Sequence, residues 1–259
     1  MTRALSAEWA KIRTLPGTGW LLLAAIAVTV AVSAATSGAM SCPSSAACHP
    51  DLTQLSLTGT DLGQAVVAVI AVLAVTGEYA TGMIRTTLAA VPRRSVVLTA
   101  KAIVVAALAV AAGAPAALGS LLAGRLILPG QGYTPARGYP DLSLTDPAVL
   151  RATAGTVHYL VLIALLSLGI ATAVRDAATA IATVLGLLYL FPVLGLAIAS
   201  PGWHRHLQQV APMTAGLEIQ ASTGLGRLPI SPWDGLGVLA AWAAAALLAG
   251  GLLLRFRDS

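Results

Sequence analysis

Six long apolar stretches alternate with short polar connections over nearly the whole 259-residue chain. Each stretch is almost continuously apolar over about 20 residues, the length that a helix needs to cross the hydrocarbon core of a bilayer. Strands of a membrane barrel would instead alternate apolar and polar positions over about ten residues. The pattern therefore predicts an all-α integral membrane protein with a single transmembrane domain over residues 1–259. The predicted spans cover residues 19–39, 57–76, 97–121, 153–174, 177–199 and 236–254.

Composition supports this class, because hydrophobic residues make up 57% of the chain and charged residues only 10%. Soluble domains have roughly 45–50% and 25%. A cleaved signal peptide is the alternative for the first apolar run, since Ser33-Ala34-Ala35 offers a small-residue cleavage pattern. That run is too long for the core of a signal peptide and five further spans follow, so we expect it to remain as the first span.

The distribution of Lys and Arg predicts the orientation. With both termini in the cytoplasm, the inner segments hold ten of these residues and the outer segments five. This is the arrangement that the positive-inside rule favours. The net charge of +5 is therefore interpreted as membrane topology and attraction to anionic lipid headgroups, and no nucleic-acid partner is expected.

Residues 1–16 are predicted to form a short amphipathic helix in the cytoplasmic interface. Leu5, Trp9 and Ile12 are spaced for one helical face, and Trp9 would anchor the helix among the headgroups. The charged positions, which lie largely elsewhere, are Arg3, Glu8, Lys11 and Arg13. A frayed, solvated tail is the alternative.

The inner loop at residues 77–94 is predicted to contain a second short amphipathic helix. Met83 and Ile84 lie on its apolar face and Arg85 lies opposite, so such a helix can rest in the headgroups or dock on a soluble partner. The other inner loop, residues 175–176, is too short for a helix of this kind.

The outer segments differ in character. Residues 123–152 are rich in Gly and Pro and predict an irregular loop, whereas residues 200–235 predict one or two short helices at the outer leaflet. Cys42 and Cys48 are the only cysteines, and both fall in the first outer loop. Two thiols so close in an oxidising compartment most often form a disulfide, and free thiols are the alternative.

No cluster of residues supports catalysis by this chain, so we expect no enzyme activity of its own. The phosphate-binding pattern Gly-x4-Gly-Lys-Ser/Thr is absent, since both lysines, Lys11 and Lys101, follow alanine. Lys101 is expected to snorkel from the third span to the interface. His158, inside the fourth span, is expected to be neutral and hydrogen-bonded between helices. His204-Arg205-His206 lacks a third ligand, so no metal site is predicted.

The amphipathic start, the six spans and the first inner loop together resemble the ABC-2 type permeases of bacterial ABC exporters, in particular the small actinobacterial-type subunits. These commonly carry a Gly-Glu-Tyr-x-x-Gly-x-Ile-Arg-Thr-Thr-Leu segment followed by Pro and basic residues. Residues 77–88 and 92–94 follow that pattern here. The resemblance covers the full chain in topology and specific residues only over 8–15 and 77–101.

The resemblance implies a permease subunit of an ATP-driven exporter in the bacterial plasma membrane. Two permeases, as a homodimer or a heterodimer, would pair with two separate ATP-binding subunits, and ATP and Mg would bind to those subunits and no cofactor to this chain. The elbow helix would carry Trp9, Lys11, Ile12 and Arg13. The coupling helix and its flanks, which contact the ATPase, would comprise Glu78, Tyr79, Gly82, Met83, Ile84 and Arg85.

Export is favoured over uptake because the importer-type signature Glu-Ala-Ala-x3-Gly is missing. The cavity-facing positions of spans one, two and five are expected to be plain Ala, Val, Leu and Ile, which suits an amphipathic, drug-like, peptide or lipid-like substrate moved by alternating access. A non-transporting membrane scaffold, sensor or immunity subunit is the alternative function. A channel and an intramembrane enzyme are weaker alternatives.

Overall fold

The computed structural model describes residue 5 and residues 7–10, 16–41, 48–90, 93–197 and 200–257. These residues form helices, turns and irregular segments, and they contain no strand. In chain order the helices are α1 (Pro16–Ala39), α2 (Leu52–Leu57), α3 (Thr60–Ala80), α4 (Met83–Ala90), α5 (Arg94–Ile127), α6 (Pro147–Val174), α7 (Ala177–Ala197), α8 (Pro201–Val210), α9 (Pro212–Leu217) and α10 (Pro232–Arg257).

Six helical segments of the described chain are long and apolar enough to cross a membrane, and they contain α1, α3, α5, α6, α7 and α10. The chain is therefore an all-α, multi-pass membrane protein, as the hydrophobic pattern predicted. The predicted first and last residues of the spans are less accurate than the predicted number of spans. Helix α5 continues past residue 121 to Ile127, and α6 begins at Pro147, where Asp146 caps it. Hydropathy locates a spanning helix by its apolar centre, and the ends of an element are the least reliable part of such a prediction.

Helix α6 is the centre of the bundle and packs against α10, α5, α3 and α7, while α1 packs on α5 and α3. The contact between α6 and α10 depends on glycine. A Cβ added to Gly169 would lie 2.4 Å from the backbone carbon of Ala246, and one added to Gly250 would lie 2.6 Å from the carbonyl oxygen of Gly169. Small residues let these two helices approach closely, as they commonly do in lipid.

The outer segments are joined to one another around Asp51. Its carboxylate caps α2 by accepting hydrogen bonds from the amides of Thr53 and Gln54, and it also accepts from the Ser222 hydroxyl at 2.7 Å and the Thr223 amide at 2.7 Å. Nearby, the Tyr139 hydroxyl donates to the carbonyl of Cys48 at 2.7 Å. The segments that contain Asp51, Tyr139 and Ser222 are far apart in sequence, and these hydrogen bonds join them in one layer, which we call the outer layer.

The irregular loop predicted over residues 123–152 is confirmed only for residues 128–146, which contain two short 3-10 helices; residues 123–127 belong to α5 and residues 147–152 to α6. Residues 200–235 contain the short helices α8 and α9, as predicted. Cys48 is disulfide-bonded, but Cys42 lies outside the described residues, so the pairing of the two stays a prediction.

The opposite end of the bundle brings together Glu8, Glu78, Arg94, Lys101 and the last turn of α10. Both terminal parts of the described chain therefore lie at the same end as the loop between α3 and α5. We call this the inner end, because the charge pattern predicts that it faces the cytoplasm.

Candidate functional site

The main feature of the inner end is a buried cluster of three charged side chains. The ammonium of Lys101 lies 2.9 Å from Oε2 of Glu8 and 2.6 Å from Oε1 of Glu78. All three residues are buried, with 4%, 6% and 5% of their surface exposed. The expectation that Lys101 snorkels to the interface is therefore wrong, because two carboxylates within the protein hold its ammonium.

Each member of this cluster comes from a different segment. Glu78 lies near the end of α3, Lys101 near the start of α5, and Glu8 in the helical residues 7–10. Buried charges are stable only when they are paired and hydrogen-bonded. The cluster therefore joins the N-terminal segment to both helices that flank α4.

The neighbouring residue Tyr79 connects the same turn to the rest of the inner end. The guanidinium of Arg175 lies over its ring, 5.2 Å from the ring centroid, a distance at which a cation is attracted to the aromatic face. Arg175 caps the end of α6 with a φ of 70°, and it also donates to the carbonyl of Leu253 at 3.4 Å. Tyr79 is thus linked through one arginine to α6 and α10.

Arg94 makes shorter hydrogen bonds to the end of α10 than Arg175 does. Its Nη1 donates to the carbonyls of Leu254 and Arg255, both at 2.7 Å. The last carbonyls of a helix have no partner within the helix, and a basic side chain there also interacts favourably with the helix dipole. The start of α5 and the end of α10 are therefore held together.

A short helix, α4, is present where the coupling helix is predicted, and it has eight residues at Met83–Ala90. Gly82 has a φ of +71°, a conformation that glycine adopts without strain, and it turns the chain between α3 and α4. Met83 is 43% exposed and Ile84 is half-buried. Arg85 lies in α4, but its side chain is outside what the structure describes.

The predicted site residues thus fall into two groups. Glu78 and Tyr79 face the bundle and hold the turn in place, whereas Gly82 and Met83 are exposed beyond it. In the predicted elbow helix, Trp9 is exposed beside the buried Glu8. Lys11, Ile12 and Arg13 lie outside the described residues, so their roles stay predictions.

His158 does not bridge two helices. Its side chain is exposed, and its Nδ1 lies 2.8 Å from the carbonyl oxygen of Ala154, one turn earlier in α6. The expectation of an interhelical hydrogen bond is wrong. The ring lies on an outward face of α6, and its hydrogen-bond partner is a backbone carbonyl of the same helix.

A polar network that the sequence analysis missed lies among α3, α6 and α7. The Tyr159 hydroxyl donates to Oε1 of Gln64, and Nε2 of Gln64 donates to the Asp61 carbonyl at 3.1 Å. The Tyr189 hydroxyl donates to the same carbonyl. Spans two and five are therefore not plain apolar helices. The signal was the presence of Gln and Tyr in otherwise aliphatic runs.

Within the described ranges, no group of three or more His, Cys, Asp or Glu side chains is placed to hold a metal ion. The chain matches no protein-family model, and no curated protein matches it. The resemblance to ABC-2 permeases is a hypothesis based on the six-span topology and on the residues at 8–15 and 77–101.

Proposed function

We propose that this chain is the permease subunit of an ATP-driven exporter of the ABC-2 type. In this proposal α4 is the coupling helix that contacts a separate ATP-binding subunit, and residues 1–16 form the elbow helix. The observation that carries the proposal is the anchoring of Glu78 and Tyr79 on the bundle, next to a glycine turn that leaves Met83 exposed.

The anchoring supports coupling for a mechanical reason. A force on α4 acts on the turn at Gly82 and then on Glu78, which contacts Lys101 of α5 and, through it, Glu8. The contact of Tyr79 with Arg175 extends the same connection toward α6 and α10. Movement of α4 would thus be transmitted to several spans together.

The proposed mechanism uses this linkage. ATP binding closes the dimer of ATP-binding subunits, and the two coupling helices transmit that closure to two permease copies. The cavity between the copies then changes the side to which it opens by rigid-body motion. The largely aliphatic spans suit an amphipathic, drug-like, peptide or lipid-like substrate, which leaves the cell on the outer side.

The proposal can be tested with a pair of matched substitutions. Met83 in α4 and Leu144 in an outer loop are both 43% exposed, so replacing either with Asp removes a similar apolar surface. The tagged chain is purified in detergent from its native host, and ATP hydrolysis that co-elutes with it is measured. We expect Met83→Asp to abolish this activity and Leu144→Asp to leave it intact.

Two results would overturn the proposal. One is hydrolysis that Met83→Asp leaves unchanged. The other is the absence of any co-purifying P-loop ATPase with the unmodified chain, which is what a non-transporting scaffold, sensor or immunity subunit predicts.

A further inference from the structure

Two exposed arginines from widely separated parts of the sequence are neighbours at the inner end. Arg93 immediately precedes α5 and Arg255 lies in the last turn of α10, and both are exposed. Arg94, the next residue after Arg93, donates to the carbonyls of Leu254 and Arg255, both at 2.7 Å. These bonds place Arg93 beside the end of α10. We call Arg93 and Arg255 the arginine pair.

The arginine pair is separate from the buried cluster of this end. The ion pairs of that cluster join Lys101 to Glu8 and Glu78, and neither arginine takes part in them. The exposed carboxylate of Asp176, in the loop between α6 and α7, accepts hydrogen bonds from the amide and hydroxyl of Thr179. Each guanidinium of the pair therefore brings a positive charge and five N–H donors to the surface.

An exposed apolar surface continues from the arginine pair toward the middle of the bundle. Leu252 and Leu248, about one and two turns before Arg255 in α10, are 52% and 67% exposed. Helix α5 is in contact with α10 at this level, since a Cβ added to Gly251 would lie 3.3 Å from Cδ2 of Leu98. Positive charge at the membrane surface is thus followed by apolar surface at greater depth, along the junction of two helices.

This order of charge and apolar surface matches a membrane lipid with an anionic headgroup. Arginine binds phosphate oxygens through parallel N–H···O bonds, and basic pockets between spanning helices on the cytoplasmic side bind headgroups of the cardiolipin type. Two guanidiniums match a headgroup with two phosphates better than a headgroup with one. A phosphocholine headgroup is a poor match, because its own cation would be repelled by the pair.

We propose that the arginine pair binds an anionic phospholipid with two phosphates, of the cardiolipin type. One phosphate lies at Arg93 and the other at Arg255, and the acyl chains lie along Leu252 and Leu248. The bound lipid would bridge α5 and α10 and add to the connection that Arg94 makes between them. This site belongs to a single chain and does not rest on the proposed function.

The test uses the full-length chain, delipidated in a non-ionic detergent, with tetraoleoyl cardiolipin as the probe. Native mass spectrometry counts the lipid bound as its concentration is raised, and phosphatidylglycerol and phosphatidylcholine with the same acyl chains are titrated in parallel. We expect cardiolipin to bind at the lowest concentration, phosphatidylglycerol at a higher one and phosphatidylcholine most weakly.

Pyrophosphate distinguishes a lipid from a soluble source of phosphate. It carries two phosphates but no acyl chains, so an equal concentration of pyrophosphate should leave cardiolipin bound. Displacement of cardiolipin under these conditions would mean that the site takes free phosphates, and it would overturn the assignment of a lipid.

Two pairs of variants locate the binding. Arg93→Gln and Arg255→Gln each remove one guanidinium of the arginine pair, whereas Arg125→Gln and Arg227→Gln each remove an exposed guanidinium at the opposite end of the bundle. We expect each variant of the arginine pair to weaken cardiolipin binding by at least about fivefold, or ~1 kcal/mol, the contribution of one basic residue near an anionic lipid surface. The two control variants should bind cardiolipin as the unmodified chain does.

The proposal fails if cardiolipin does not bind saturably or if phosphatidylcholine binds as tightly. It also fails if Arg93→Gln and Arg255→Gln bind cardiolipin normally, or if all four variants lose it equally, since an equal loss indicates attraction to the overall charge. All four positions are exposed, so size-exclusion profiles should show that each variant is folded. No ATPase is present in this assay, so its failure would leave the proposed coupling role of α4 intact.

Discussion

Lys101 and Glu78 form a direct contact, with 2.6 Å between the ammonium and a carboxylate oxygen and only 5% and 7% of the two side chains exposed. The contact joins the helix before the α4 loop to the helix after it. Because the pair is buried, neither partner can be removed without leaving a charge that water does not reach. The loop is therefore held at both ends by one interaction.

Replacing Lys101 with Met should destabilise the protein strongly, because it removes the ammonium that bonds to the buried carboxylates of Glu8 and Glu78. Breaking a buried pair in this way costs about 3–5 kcal/mol. Thermal unfolding in detergent measures the loss. Arg125→Met is the control, since Arg125 is exposed on the same helix and should change stability by no more than about 0.5 kcal/mol. Equal melting of the two variants would disprove a structural role for the cluster.

The hydrogen bond between Tyr159 and Gln64 should appear as coupling in a double-mutant cycle. Both side chains are completely buried, so Gln64→Leu leaves the Tyr159 hydroxyl without its acceptor and Tyr159→Phe leaves Gln64 without its donor. Between membrane helices such bonds contribute about 0.6 to 1.7 kcal/mol. Unfolding of the two single variants and the double variant in mixed micelles gives this energy. Strict additivity of the single effects would mean that the bond contributes nothing.

Asp51→Ala should loosen the outer layer. The substitution removes the cap of α2, worth about 0.5–2 kcal/mol, and also the acceptor to which the amides of Ser222 and Thr223 donate. Hydrogen exchange should therefore accelerate at the amides of Ser222 and Thr223 as well as at Thr53. Asp141→Ala, at an exposed position of a neighbouring outer loop, is the comparison and should leave all three amides protected. Unchanged exchange at Ser222 in Asp51→Ala would contradict the joining of these segments.

The contribution of Asp176 to stability should depend on pH. The amide and hydroxyl of Thr179 donate to its carboxylate at 2.8 and 2.7 Å, and these bonds lower the pKa of Asp176 below its ordinary value of 3.8. A lowered pKa means that folding favours the ionised form, so the stabilisation is complete above the ordinary pKa and is lost as the pH falls through the lowered one.

The measurement is the difference in melting temperature between the unmodified chain and Asp176→Ala from neutral pH to pH 3. We expect the unmodified chain to melt higher at neutral pH and the difference to shrink below about pH 4, near the ordinary pKa of an aspartate. A difference that grows as the solution becomes more acidic would contradict this assignment.

Several details of the site were accessible from sequence and others were not. The helix that follows Gly82 could be predicted, since Met83 and Ile84 lie on one face of a short amphipathic segment. The two partners of Lys101 could not be predicted, because Glu8 is 93 residues away in sequence and Glu78 is 23 residues away. Hydrophobic periodicity describes neighbours within one helix and carries no information on such contacts. His158 shows the same limit, since the direction of one side chain depends on how α6 is rotated in the bundle.

The amino-acid sequence by itself determined that this protein has six spanning helices and a short helix in the loop after the second. A run of about 20 apolar residues has one solution in lipid, because each backbone amide must find its partner within the segment. Only the tertiary structure decided which polar groups meet inside the bundle. Burial of Lys101 between two carboxylates, and of Gln64 against Tyr159, depends on which helices are neighbours, and the hydrophobic pattern along the chain does not specify that.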